Sequence, residues 1–231
     1  GGITVKPNVK FKEVIKKVAT DGIVKDGTCD FADTSTITLT ERIIEPKTFQ
    51  VNLELCKADF RSDWDAIQMG YSAFDNLPAS FADFLISHAQ EKVAQKIEQN
   101  IWGGADGNEG EFDGLVALAT ADATVVDVVG TAITAANVID ELGKVVDDIP
   151  AALYGAEDLN LYVAQNVYRA YVRALGGFAA AGVGANGVGG QGTNQALGNV
   201  MFDGVNVFVA NGLANNYIVA AQKSNLYFGT G

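Results

Sequence analysis

The chain has 231 residues, 48% of them hydrophobic, and a formal net charge of −12, which lets it bury a sizeable core as one large domain or two modest ones. That charge, with a pI near 4.4, excludes a surface built to grip nucleic acid, because such a surface needs a basic face to release phosphate counterions. Two cysteines, Cys29 and Cys56, and a single histidine, His88, are too few for a disulfide framework or a zinc knuckle, and no run of about 18 apolar residues offers a membrane span.

So few cysteines make a reducing compartment the default, and the opening Gly1-Gly2, without an initiator Met or a leader pattern, reads as a trimmed or processed start. Lys6, Lys10, Lys12, Lys16, Lys17 and Lys25 crowd the first thirty residues and make a locally basic arm. Within it, FKEVIKKVAT is expected to be a solvated amphipathic helix, in preference to a specific nucleic-acid or partner contact. DGIVKDGTCDFADTS, rich in Gly, Asp and Thr, reads as an extended excursion into solvent. TITLTERII then alternates, and after Pro46 so does KTFQVNLELC, with Phe49, Val51, Leu53 and Leu55 on one side. The second stretch is expected to be a long half-buried strand, antiparallel to the first.

Pro78 suits a first helical position, and Phe81, Leu85, Ala89, Val93, Ile97 and Ile101 recur every four residues, with Phe84 widening the stripe, up to Gly103-Gly104. About 25 residues at ~1.5 Å each give a rod of roughly 37 Å, expected to lie as a spine across a sheet. Past the loop GGADGNEGEFDG, LVALAT and ATVVDVV read as strands. Thr134 is the expected N-cap of AANVIDELGKVVDDI, with Val138, Leu142, Val145 and Ile149 as its apolar face and Pro150 as its stop. LNLYVA is strand-like, and VYRAYVRAL is helical with Arg169 and Arg173 four residues apart. The last third is β in character: Asp203-Gly204 marks a tight hairpin within MFDGVNVFVA, and YIVAAQ and NLYFGT add strands. Strands and helices interleave without a repeat, which predicts an α+β or mixed α/β fold.

Three stretches hint at chemistry. Gly182, Gly184 and Gly187 satisfy G-x-G-x-x-G, yet they follow a helix and lead into more glycine, and Asp203 at the ribose-binding distance sits in a hairpin turn. A flexible surface loop is the better reading than a dinucleotide cradle. His88 has Glu91 nearby but no second His at i+4, so it is expected to be buried or partner-facing rather than a ligand. Asp106 to Gly114 carries several oxygens but misses the calcium-loop pattern, and reads as a solvated turn. No nucleophile lies in a motif, so no catalytic residue, cofactor or metal is expected.

The order of these elements resembles that of tailed-bacteriophage major capsid proteins with the Hong Kong 97-like fold. An extended loop, KTFQVNLELCKADF, ASFADFLISHAQEKVAQKIEQNIW and GG…EFDGLVAL follow one another as in that family. There, a helix ending near a glycine pair is followed by a short loop and a strand containing G-[IL], here Gly114-Leu115. ITAANVIDELGKVVDDIP and LNLYVAQNVYRAYVRAL match the central-domain helix, strand and helix. The closing stretch fits a G-x-x-V strand, an I-V-A strand and an N-L-x-x-G-T ending at Gly204 to Val207, Ile218 to Ala220 and Asn225 to Thr230.

The resemblance implies an N-terminal arm over 1–20, an extended E-loop over 21–46 that reaches a neighbouring copy, a peripheral domain over 47–114 with its spine helix at 78–102, and an axial domain over 115–231. The family's final peripheral strands have no counterpart before Gly231. It places Asp26, Asp30, Phe31 and Arg42 on the E-loop, and Gly182, Gly184, Asn186, Gly187 and Gly190 in a loop near a capsomer axis or on an exposed face. It implies a structural subunit, not an enzyme, assembling into hexamers and pentamers of an icosahedral shell around packaged DNA without sequence-specific contact. Other copies of the chain, with scaffold, portal and decoration proteins, are the implied partners; the virion is the implied location, after assembly in the host cytoplasm. An acidic wall suits that role, since a basic one would bind phosphate. An encapsulin-like compartment enclosing a cargo protein shares the fold; a nucleotide-binding enzyme and a surface-exposed or secreted binding module are the alternatives from other classes.

Overall fold

The computed structural model describes residues 2–24, 26–27, 29, 36–54, 79–175 and 200–231, which fall into two units, Gly1–Thr48 with Gln222–Gly231 and Phe49–Ala221. The fold is α+β. In the first unit a short strand β1 (Thr4–Lys6) precedes β2 (Glu13–Asp21) and β3 (Thr36–Ile44). The last two form a nine-pair antiparallel ladder from Glu13 opposite Ile44 to Asp21 opposite Thr36, roughly 30 Å long at ~3.3 Å per residue. The expected helix at FKEVIKKVAT is therefore a strand. Its β-branched Val14, Ile15 and Val18 lose side-chain freedom in a helix, and the ladder supplies cross-strand partners, Val14 to Ile43 and Val18 to Leu39. Lysines of this arm also find glutamates: Lys16 lies opposite Glu41, with Nζ 3.6 Å from its carboxylate, and Lys12 reaches Glu45 at 3.0 Å.

This ladder also corrects the pairing expected for β3. Residues 45–54 carry no strand, and Val51 and Leu53 instead line a groove with the long helix α1 (Ala79–Gly103). A period of two marks an extended chain with one apolar side, whatever that side lies against. The helix itself is where its periodicity placed it; Pro78 is outside the described residues. Its last turn is buried at Asn100, Ile101 and Trp102, whereas Phe84, Ile86, Val93 and Ile97 are exposed. Among the described residues, no sheet lies beneath those earlier turns.

LVALAT is a short helix, α2 (Leu115–Ala121), rather than a strand, so the Gly114-Leu115 pair opens a helix. Leucine and alanine are strong helix formers, and the Leu118 amide donates to the Gly114 carbonyl at 3.0 Å. ATVVDVV makes a turn and then runs on without a strand partner. The next helix, α3 (Val138–Asp147), begins four residues after Thr134, with Asn137 at its cap. Thr134 lies in the approach turn, where its amide and hydroxyl donate to Asn137 Oδ1 at 2.7 and 2.9 Å. Val138, Leu142 and Val146 are the buried side of α3, with Val146 in place of the expected Val145.

The core is a four-stranded sheet. β4 (Leu159–Val163), strand-like in sequence, is buried along its whole length, Asn160 included, and α4 (Gln165–Ala174) follows it directly. Then come β5 (Met201–Phe202), β6 (Val205–Val209) and β7 (Ile218–Gln222), in spatial order β5-β6-β4-β7. β4 and β6 are parallel, joined across α4 as a crossover unit, while β5 and β6 form the predicted hairpin. Asp203 and Gly204 have φ of 44° and 80°, the double left-handed geometry that a two-residue turn in a twisted hairpin requires. Tyr162 of β4 packs on Trp102 from α1, ring centroids 5.2 Å apart, and stacks towards Phe208. Tyr171 of α4 meets Phe202 edge-on and donates its hydroxyl to the Met201 carbonyl at 2.8 Å. Leu161, Tyr162 and Val163 are essentially inaccessible, and each contributes about 1.5–3 kcal/mol by burial.

The final strand, β8 (Tyr227–Gly229), belongs to the first unit and pairs in parallel with β1, Thr4 opposite Tyr227. Amides of Thr4 and Thr230 donate to the carbonyls of Leu226 and Lys6 at 2.8 and 2.9 Å. Among the described residues of this unit, Val9 and Leu226 are the buried side chains.

Candidate functional site

The register of β2 and β3 sorts their side chains onto two faces. One face carries Val14, Val18, Ile37, Leu39 and Ile43, with the Lys16–Glu41 pair between them. Those five apolar side chains are 45 to 65% exposed. The opposite face carries Lys17, Thr36, Thr38, Thr40 and Arg42, with Ile15 and Ile44 half-buried among them. The hairpin is thus amphipathic, and within the described residues nothing covers its apolar side. A second open apolar surface lies on the other unit, where Val51 and Leu53 with Ile86, Val93 and Ile97 line an open groove of about 450 Å³ with Gln90 as its polar member.

Of the four loop positions singled out in the sequence, Arg42 is in β3 opposite Ile15 and Asp26 is exposed in the connection between β2 and β3. Asp30 and Phe31 lie outside the described residues. So do Gly182, Gly184, Asn186, Gly187 and Gly190; the elements flanking them are α4 and β5, a helix before and a strand after. His88 is exposed on α1 rather than buried, and stacks against Phe84 with ring centroids 6.4 Å apart. Its neighbour Glu91 accepts a bond from Gln95 instead. Among the described residues, no three His, Cys, Asp or Glu side chains converge as a metal site, and no helix is long and apolar enough to cross a membrane.

The acidic stretch from Asp106 to Gly114 is a largely exposed turn, as expected, and it is tied to its own chain at Glu111. Glu111 accepts from Lys96 Nζ at 2.5 Å, from Asn108 Nδ2 at 2.9 Å and from the Ala105 amide at 3.1 Å. The Lys96 bond, followed by those from Asn108 and Ala105, lowers its pKa to about 2. Asn100 at the end of α1 donates to the Gly110 carbonyl at 2.9 Å and accepts from the Gly104 amide at 3.1 Å. A Cβ at Gly104 would sit 2.4 Å from the Phe112 carbonyl oxygen, so only glycine fits there. The loop's oxygens face its own donors, and none of this was visible as a motif; the glycine pair beside an acidic run was the available signal.

Two further clamps went unread in the sequence. Glu141, buried in the first turn of α3, accepts from the Thr131 amide and hydroxyl at 3.1 and 2.8 Å and from Lys144 at 2.7 Å. Lys144 first, then Thr131, hold its carboxyl below the ordinary range. Asn216, at φ 68°, accepts from the amide of Ile133 and from Asn166 Nδ2, and its own amide donates to Asn166 Oδ1 at 3.0 Å. An acidic residue in a first helical turn is a readable signal; an Asn pair fifty residues apart is not. These groups fasten backbone segments to one another. No protein-family model and no curated protein matches the chain.

Proposed function

We propose that this chain is a structural component of an icosahedral phage capsid, self-assembling into hexamers and pentamers around a DNA genome. The observation that carries this reading is the exposed apolar face of the β2–β3 hairpin, whose second strand lies in the stretch that the resemblance assigns to a loop reaching a neighbouring copy. A lone two-stranded hairpin is marginally stable in water. Covering Val14, Val18, Ile37, Leu39 and Ile43 with a neighbour gains several kcal/mol in gross burial, before the cost of association. The open groove on α1 gives a neighbouring copy a surface of the same apolar character. Closed symmetry repeats each such contact and stabilises every copy through its neighbours.

Negative-stain microscopy of the full-length protein with its maturation partners tests the reading. Capsomers or closed shells are the expected result, with DNA enclosed in mature particles. Persistent monomers at every concentration overturn it, and a cargo protein in place of DNA replaces it with an encapsulin-like compartment.

A further inference from the structure

The stretch Val125-Val126-Asp127-Val128-Val129 places β-branched side chains at four of five positions, a composition that favours a pleated strand. Yet Val126 to Gly130 make no hydrogen bond within the described chain, by backbone or by side chain. Val126 and Val129 stand in solvent, the latter 87% exposed. Both ends of the stretch are nevertheless fixed. Asp122 accepts from the Thr124 amide and hydroxyl at 2.9 and 2.7 Å, and its carbonyl from the Val125 amide at 3.0 Å. At the far end Thr131 is held by Glu141, and the Ile133 amide by Asn216. Five consecutive residues with unused donors and acceptors are therefore held in place beforehand, which lowers the ordering entropy that a partner would have to overcome.

We infer that residues 126–130 are a docking strand, completed by main-chain pairing with the open edge of β2 from a second copy of this chain. This rests on the self-assembly reading, because the partner is another copy. Among the described residues β2 pairs with β3 on one side only, and it carries Val14, Ile15 and Val18 to meet the valines. Charge selects β2 over β3. Lys17 of β2 has no partner among the described residues, and neither has Asp127; β2 sets Lys16 and Lys17 side by side, whereas β3 sets Glu41 beside Arg42 and so brings no net positive charge to Asp127. Strand addition of this kind draws affinity from the backbone and specificity from alternate side chains.

Two measurements test the inference. Amide hydrogen exchange, compared between dilute monomer and assembled particles, is expected to slow about tenfold or more at alternate positions within 126–130, as for amides entering a ladder. In parallel, Lys17→Glu is expected to weaken assembly, and Lys17→Glu with Asp127→Lys to restore it; both positions are exposed, and circular dichroism checks that each variant folds. Shells whose 126–130 amides exchange as fast as in the monomer, or a double variant no better than Lys17→Glu, overturn the docking strand and leave the capsid reading standing. A chain that never assembles removes both.

Discussion

β4 and β3 are both strands rich in β-branched and leucine side chains, and they meet opposite fates. Every residue of β4 is buried between β6 and β7, whereas eight of the nine residues of β3 are exposed. LNLYV carries aliphatic or aromatic bulk on both faces and so demands cover on both; TITLTERII alternates and asks for cover on one. The first is satisfied within the chain, and the second is left uncovered among the described residues.

Substitutions at matched leucines break or sharpen this contrast. Leu161→Ala should destabilise the Phe49–Ala221 unit by about 2–5 kcal/mol, through lost burial and a residual cavity, read by urea or thermal unfolding. Leu39→Ala, 62% exposed, should change monomer stability by no more than about 0.5 kcal/mol while weakening assembly. A large loss of monomer stability for Leu39→Ala would mean that the hairpin is covered within its own chain. Next in size, Gly104→Ala should lower stability by about 1–3 kcal/mol, because the new methyl meets backbone that must shift; an unchanged melting temperature would show the loop to be slack.

The Glu111 cluster gives a pH-dependent effect. Its carboxyl has a pKa lowered from 4.5 to about 2 in the folded chain, so its stabilisation is fully present above the unfolded value and is lost as pH falls from about 4.5 towards 2. Glu111→Gln should therefore melt below the parent at pH 7, and the gap should close on acidification to pH 2. A gap that stays constant with pH would show that the negative charge is not what holds the loop. The smallest effect belongs to Lys16→Ala, since an exposed pair at 3.6 Å contributes about 0–1 kcal/mol, and 1 M salt should erase what it contributes.

The parts legible in the sequence were those whose signal is local. The Asp203-Gly204 turn, the short bulky stretch of β4 and the four-residue recurrence along α1 each have one conformation that suits them best. The N-terminal arm was misread for a definite reason: Val14 and Val18 are four apart, a spacing that shares a face both on a helix and on a strand. What decides between the two is TITLTERII some twenty residues away, and a window over the arm alone does not contain it. LVALAT failed in the reverse direction, because short apolar runs carry no period of their own. Of the candidate surface, the alternation of β3 was plain, but its register with β2, which puts Leu39 beside Val18, was not. Clamps such as Asn166–Asn216 depend on side chains meeting across fifty residues, and no spacing rule encodes them.

The parallel pairing of β1 with β8 bears on the order in which the chain organises itself. Thr4 Oγ1 donates to the Lys223 carbonyl at 3.0 Å, across a sequence separation of 219, and a loop that long closes slowly. The hairpin of β2 and β3 can zip early, whereas the small ladder of β1 and β8 must first close that long loop, a closure that folding of the β4 sheet would ease. The β1–β8 ladder is therefore expected to be among the last parts of the fold to form, and a chain whose β4 sheet has not folded is expected to leave β1 unpaired.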